Sequence, residues 1–419
     1  MSARILSKFS SFTRDELPSL YFSLILFGQV FLSFFAGLLN VENRLSMLAF
    51  RFLIMVLSFG FIAFNLRQKK FSYFSNYWVI SVLIFWLFYL ARLFFDVNFS
   101  SAKLALPAWE LVAWSLGSSL PIAICAYLYS AQNDMNFILF KPVKYGVFML
   151  GISIILFLFN PGLQQGAFYL GHLNAITCAN AGCALFLICF SRILITNIGK
   201  SDFSASRLMT LTGICIGLFI ALFSATRGVI LGIGIIIVGS IFYLRSYLRI
   251  SFFYRWKYIV LSIGAVFFTM FLASLSSLLF EKLFTAHAPV TIMIRLEMWR
   301  LSLLEFISNP LLGAGFRMHE VLGNIELESG LHYPHNYLLE SLATGGIVLT
   351  IPLIICIFSP LTGFHKKYIS ELSILPICLL LVQVFIYSMH NGHLGDFPFF
   401  WMMIGIMAGT KYRLNKRLI

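Results

Sequence analysis

The stretch that decides the fold is His335-Asn-Tyr-Leu-Leu-Glu-Ser-Leu-Ala-Thr-Gly-Gly-Ile-Val-Leu-Thr-Ile-Pro-Leu-Ile-Ile-Cys-Ile-Phe358. Its first turn is polar, and from Ser341 to Phe358 no charged residue appears. A membrane-spanning helix needs about 20 mostly apolar residues, and this run supplies them. Working outward, the same pattern recurs near 19–39, 46–65, 75–95, 106–130, 143–160, 171–191, 208–224, 228–244, 258–279, 370–390 and 397–410. Only Ala225-Thr226-Arg227 divides the pair at 208–244. The 419 residues are 60% apolar, 17% aromatic and 11% charged, and their mean hydropathy is +0.90. Soluble domains carry about 25% charged residues, because their surface must be wet. Composition therefore excludes a soluble enzyme, a disordered chain, a coiled coil and a disulfide scaffold. The expectation is an all-α polytopic membrane protein with about 12 transmembrane helices, forming a single integral domain over residues 1–419.

The net charge of +14 is distributed by topology. With the N-terminus inside, 21 of the 30 Lys and Arg fall in inner loops and tails, and seven in outer loops. That bias is the positive-inside signature, and it places both termini in the cytoplasm. The excess is thus topogenic, and nucleic acid is not an expected partner. Arg4, Lys8 and Arg14 precede an apolar run with no small-residue cleavage site, which reads as a retained first span. The seven cysteines all lie in apolar runs and read as packing residues. Gly228, Gly232 and Gly234 read as a close helix contact.

One outer loop, residues 280–334, is far longer than the others. Thr291 can cap a helix from Ile292 to Ser308, which Asn309-Pro310 stops. That run is amphipathic and can lie on the membrane surface. Leu312-Gly313-Ala314-Gly315-Phe316 reads as a tight bend, and Glu328-Ser329-Gly330 as a turn back toward the next span.

Two histidines, His332 and His335, stand where this loop re-enters the membrane. Pro334 suits the first helical turn, which puts His335 and Asn336 at the helix N-terminus and Glu340 one turn deeper. Free N–H groups and the positive dipole end favour anions there, and an imidazole is a general base near neutral pH. The bland alternative is that these groups merely bond water or headgroups. Arg227, Arg295 and Arg317 fall on the outer side, against the topogenic bias. A guanidinium makes paired hydrogen bonds to phosphate oxygens. Alternatively, the six acids and four bases of the loop simply pair. His390, His393 and Asp396 form a weak candidate for a metal site. Arg51, Arg92 and Glu110 read as structural pairs or as part of a translocation path. No phosphate-binding Gly-x-x-x-x-Gly-Lys motif appears, and no cofactor is expected.

Three ordered segments resemble the O-antigen ligase family of bacterial glycosyltransferases, which shares a region with O-antigen polymerases and protein O-oligosaccharyltransferases. They are Ser-Ala-Thr-Arg227-Gly; Ile-Arg295-Leu-Glu-Met-Trp with Asn-Pro-Leu-Leu-Gly-Ala-Gly-Phe; and His335-Asn336-x-x-Leu with a later Gly-Gly. The resemblance covers about residues 220–350. It implies a GT-C-type fold in the inner membrane, with an active site on the periplasmic face, and the resembling region holds the extended 280–334 loop. It further implies transfer of O-antigen from undecaprenyl diphosphate to a sugar hydroxyl of lipid A–core. In this likeness Arg227 and Arg295 match arginines that hold the donor diphosphate, and His335 matches the essential histidine. Arg317, His332 and Asn336 stand as neighbours able to contact diphosphate or acceptor. An O-antigen polymerase using the same donor is the first alternative. A transporter or flippase of polyprenyl-linked glycans is the second, although it should place charges near the bilayer midplane.

Overall fold

The computed structural model describes residues 16–39, 41, 43–67, 73–100, 104, 107–133, 139–159, 175–198, 207–224, 226, 229, 232–237, 239–240, 288–317, 333–362, 374–389, 393–395 and 397–416. Among the described residues every regular element is helical. The helices are α1 (Glu16–Leu38), α2 (Asn43–Arg67), α3 (Tyr77–Phe99) and α4 (Ala108–Gln132). They continue with α5 (Pro142–Phe159), α6 (Ala175–Ile198), α7 (Arg207–Phe223) and α8 (Ala288–Ser308). The last three are α9 (Tyr337–Phe358), α10 (Leu375–Ser388) and α11 (Pro398–Lys416).

Seven of the described helices, α1 to α6 and α9, contain a span long and apolar enough to cross a membrane. They answer to seven of the expected spans. Those near 208–224 and 370–390 appear as the shorter apolar helices α7 and α10, and that near 397–410 lies within α11. The span near 258–279, the turn at Glu328-Ser329-Gly330 and much of 228–244 lie outside the described residues. The described cysteines are all free thiols, and most are buried in helix contacts, as a packing role requires.

The chain forms two compact units. The first comprises 1–50, 133–285 and 364–383, and the second 51–132, 286–363 and 384–419. In the first, α6 and α7 pack closely because Gly182 and Gly217 face each other. A Cβ on Gly182 would stand 2.7 Å from the Gly217 carbonyl oxygen, so a side chain on either residue would push the helices apart. Among the described residues nothing lies within 4 Å of a Cβ placed on Gly234. Gly228 lies outside the described residues. Gln383 of α10 donates to the backbone oxygen of Asn180 in α6 at 3.0 Å, supplying a buried polar tie between two apolar helices.

In the second unit α4 and α11 make the most extensive helix contact. Gly405 and Gly409 of α11 lie against the α4 backbone near Ala123 and Tyr127. Asn76 caps α3, its Oδ1 accepting from Trp78 N at 2.9 Å. The Trp78 indole N–H in turn donates to the Cys356 carbonyl oxygen of α9 at 3.0 Å. Large apolar side chains of α2 such as Phe52, Val56, Phe59 and Phe64 stay exposed, a surface suited to lipid.

The element that positions the site is α9, which is broken. Gly346 has φ 60° and ψ −154°, a region that in practice only glycine occupies. A helix broken in an apolar setting leaves N–H groups without partners. The segment after α8 supplies them: Ile347 N donates to Pro310 O at 2.9 Å and Val348 N to Leu311 O at 3.2 Å. In return Ala314 N donates to Ala343 O at 2.7 Å. Gly313, at φ 65°, brings its Cα within reach of the same break, and a Cβ there would meet Ala343 O at 2.6 Å. The predicted bend at 312–316 is thus present, and its purpose is to fill the break in α9.

Two sequence expectations shift by local physics. α8 begins at Ala288, so Thr291 falls inside the helix instead of capping it. It ends at Ser308 as expected, because Pro310 cannot continue it. At α9 the helix starts at Tyr337, with Asn336 as its cap, so Pro334 and His335 precede it. The left-handed backbone of His335, φ 53°, is the reason the helix cannot begin earlier.

Candidate functional site

The N-terminus of α9 gathers the site, and every contact described below lies within the second unit. Asn336 Oδ1 accepts from Leu338 N at 3.1 Å and Leu339 N at 3.2 Å, the ordinary chemistry of a helix cap. Its amide donates to Met389 O at 3.2 Å. Just before the cap, His335 is buried at 5% exposure. A non-glycine residue at positive φ stores about 1–3 kcal/mol of strain, and such residues cluster at functional positions.

α8 is fastened to the same place. The Trp299 indole N–H donates to Pro334 O at 2.9 Å, on the residue preceding His335. Arg295 stands one helical turn before Trp299 and is partly buried. It shares its helix face with Met298 and Ser302, which are buried, and Met298 packs against Ala343 of α9. The structure therefore brings the Arg295 segment and the His335 segment together. Glu297, which the sequence offered as a partner for the loop arginines, gives its two carboxylate oxygens to Arg300 at 2.6 and 2.8 Å. The hydrogen bonds from Arg300 hold the Glu297 carboxyl below its ordinary range. The exposed face of α8 carries Met293, Leu296, Leu303, Leu304 and Ile307 together with Arg300, so the segregation of apolar and charged side chains expected of this helix is not what the structure shows.

Arg317 ends the 3₁₀ turn Gly315–Arg317 and is exposed. The preceding Phe316 is fully buried, and its N–H donates to Asp96 Oδ2 of α3 at 2.7 Å. Arg92 Nε lies 3.1 Å from the same oxygen. Arg92 is thus a structural pair, one of the two readings the sequence allowed. Arg227 and His332 lie outside the described residues, as do His390 and Asp396.

Behind His335 stands a set of residues that local patterns did not mark as site residues. Tyr333 packs at a tilt against His335, with ring centroids 4.5 Å apart, and edge-on against His393 at 4.9 Å. His393 Nε2 lies 3.4 Å from Glu340 Oε1. Trp114 of α4 meets His393 edge-on at 6.4 Å and carries the Arg51 guanidinium 4.0 Å above its ring. A π-turn over Ser115–Ser119 follows Trp114, and Ser119 donates to Gly395 O at 2.9 Å. Such turns re-aim side chains and recur at functional sites. Besides Glu340, placed one turn below His335, and Arg51, read as a structural pair or path residue, the sequence signal for this group was His393, read with His390 and Asp396. In the structure its ring faces Glu340 and the backbone of Gly395.

Residues 212–354, about a third of the chain, match the family model described as O-antigen ligase (Wzy_C). The resemblance read from the three motifs is borne out over that region, which includes Arg227, Arg295 and His335. The chain is a multi-pass helical membrane protein, and the family that residues 212–354 resemble implies a glycosyltransferase-like ligase activity on polysaccharide or lipid-linked substrates. No curated protein and no solved structure matches the chain.

Proposed function

We propose, with the O-antigen ligase match of residues 212–354 as premise, that the protein is an inverting glycosyltransferase that works without a metal. It moves O-antigen polysaccharide from undecaprenyl diphosphate to a sugar hydroxyl of lipid A–core. The reaction takes place at the periplasmic face of the bacterial inner membrane, in a GT-C-type fold with both termini cytoplasmic. The observation that carries this reading is the joining of α8 to the α9 mouth through Trp299 and Pro334, which sets Arg295 beside the His335 segment.

The chemistry follows from those groups. The acceptor hydroxyl oxygen forms a bond to the anomeric carbon while the bond from that carbon to the diphosphate oxygen breaks. His335 takes the hydroxyl proton, and undecaprenyl diphosphate leaves with the bonding electron pair. Arg295 and Arg227 neutralise the charge that develops on the leaving diphosphate. Arg317, Asn336 and His332 are assigned to contact with diphosphate or acceptor. Direct attack inverts the configuration at the anomeric carbon. Both substrates are amphiphiles, so a site at the membrane surface beside α8, whose exposed face is rich in apolar side chains, admits them laterally.

Complementation decides the acceptor. In bacteria lacking their own ligase, expression of this protein should restore full-length chains on lipid A–core. Chains that lengthen on undecaprenyl diphosphate in a polymerase-deficient strain, with none transferred, would instead make it the polymerase. Purified protein should also keep its rate in excess EDTA. Strong inhibition would overturn the metal-independent mechanism and return attention to His390, His393 and Asp396.

A further inference from the structure

We propose that Glu340 is a positioning residue of this site, holding the His335 imidazole through His393 and Tyr333; the proposal rests on the transferase reading above. Glu340 is 2% exposed, and its two oxygens have separate partners. Oε2 accepts from Leu394 N at 3.1 Å, and Oε1 faces His393 Nε2 at 3.4 Å. His393 Nδ1 accepts from Gly395 N at 3.2 Å. A ring nitrogen that accepts a hydrogen bond carries no proton, so these contacts assign the proton of neutral His393 to Nε2, facing the carboxylate. Both nitrogens are committed, which makes His393 a fixed wall and leaves proton transfer from substrate to His335.

The wall reaches His335 by ring contact. Tyr333 is set against His393 at 73° and against His335 at 60°, and Trp114 closes the far side of His393 at 89°. Ser119 and Trp401 each bond a carbonyl of the 394–395 turn, at 2.9 and 3.2 Å, so the turn cannot drift with its ring. A general base must sit within a few tenths of an ångström of its productive place. His335 lies in a strained backbone conformation, so packing against Tyr333 is what fixes its ring. Glu340 touches no reacting atom in this arrangement; it fixes the rings that do the holding.

Glu340→Gln keeps the size and can still accept from Leu394 N. Its amide NH2 then faces His393 Nε2–H or, if the amide flips, Leu394 N–H, and the other relief, a change of His393 tautomer, conflicts with Gly395 N–H. His393→Phe keeps a ring against Tyr333 but loses both nitrogens. With full-length protein in proteoliposomes, each variant should lower kcat for glycan transfer by about 10- to 100-fold, the range for residues that orient a reacting group at one remove. The KM for the lipid-linked donor and the melting temperature should stay near parental values. The double variant should be no worse than the poorer single, because the two act as one unit. In parallel, labelling of His335 by diethyl pyrocarbonate, read by peptide mass spectrometry, should change severalfold in each variant.

Unchanged kcat with unchanged labelling, or losses that multiply in the double variant, would overturn the proposal. If Glu340→Gln fails to accumulate, His393→Phe decides by the same two readouts. The labelling needs no turnover. Hence a wild-type protein that transfers nothing defeats the transferase reading, while altered labelling still supports the positioning. A parental rate in Glu340→Gln beside an inactive His335→Ala defeats the positioning alone.

Discussion

Replacing His335 by alanine should lower glycan transfer by about 10²–10⁴-fold, the span over which a positioned general base contributes. The fold should survive, because the cap of α9 is made by Asn336 and the break in α9 is filled by residues 310–314. A sharper version is His335→Asn. Asparagine tolerates the left-handed conformation that His335 adopts at φ 53°, but it carries no group that titrates near neutral pH. It should insert and accumulate as the parent does, and it should be inactive in the complementation assay. Arg227→Ala and Arg295→Ala should each lose about 10²–10³-fold, as expected for removal of one donor to developing negative charge. Transfer at the parental rate by His335→Asn would remove the base from the mechanism, whatever the arginines do.

The second large effect concerns folding. Gly346→Val places a β-branched residue at φ 60°, ψ −154°, which alone stores about 1–3 kcal/mol. Its Cβ would also stand 2.5 Å from the Leu311 carbonyl carbon. The 310–314 segment must then withdraw, and the bonds from Ile347 N and Val348 N are lost. Each such bond is worth about 0.5–1.5 kcal/mol net, and more where the freed group has no water to turn to. The total should be about 2–6 kcal/mol, seen as a lower melting temperature in detergent and poor accumulation in membranes. Gly234→Val is the matched control, since nothing among the described residues lies within 4 Å of its Cβ position. Equal melting temperatures for the two variants would mean that the break in α9 is not held by this loop.

These two residues differ in how much of their role is encoded locally. His335 was found because its type, its neighbour Asn336 and its place at a polar-to-apolar boundary carry chemistry in a few consecutive letters. Gly346 was seen only as part of a Gly-Gly pair. Its conformation depends on a segment more than 30 residues earlier, and no local pattern encodes that meeting. The same holds for Glu340. In sequence it is one acid in a first helical turn, but in the structure it is bonded to Leu394, 54 residues away. Asp96 was not singled out, and it holds the N–H of Phe316, 220 residues away. The pairing of Arg92 with Asp96 was the kind of reading available from spacing, because residues four apart share a helix face.

By itself the sequence determined that the chain is a helical membrane protein, roughly where its spans run, and which family motifs it carries. Helix hydrogen bonds close within four residues, and lipid accepts any apolar face, so local composition is sufficient for those conclusions. Only the tertiary structure decided that α9 is broken and that α8 is fastened beside its mouth. It alone placed Glu340, His393 and Tyr333 behind the candidate base. Those facts depend on the rotational phase and register of helices distant in sequence, and phase between packed helices is set by side-chain shape across the contact, which no single segment contains.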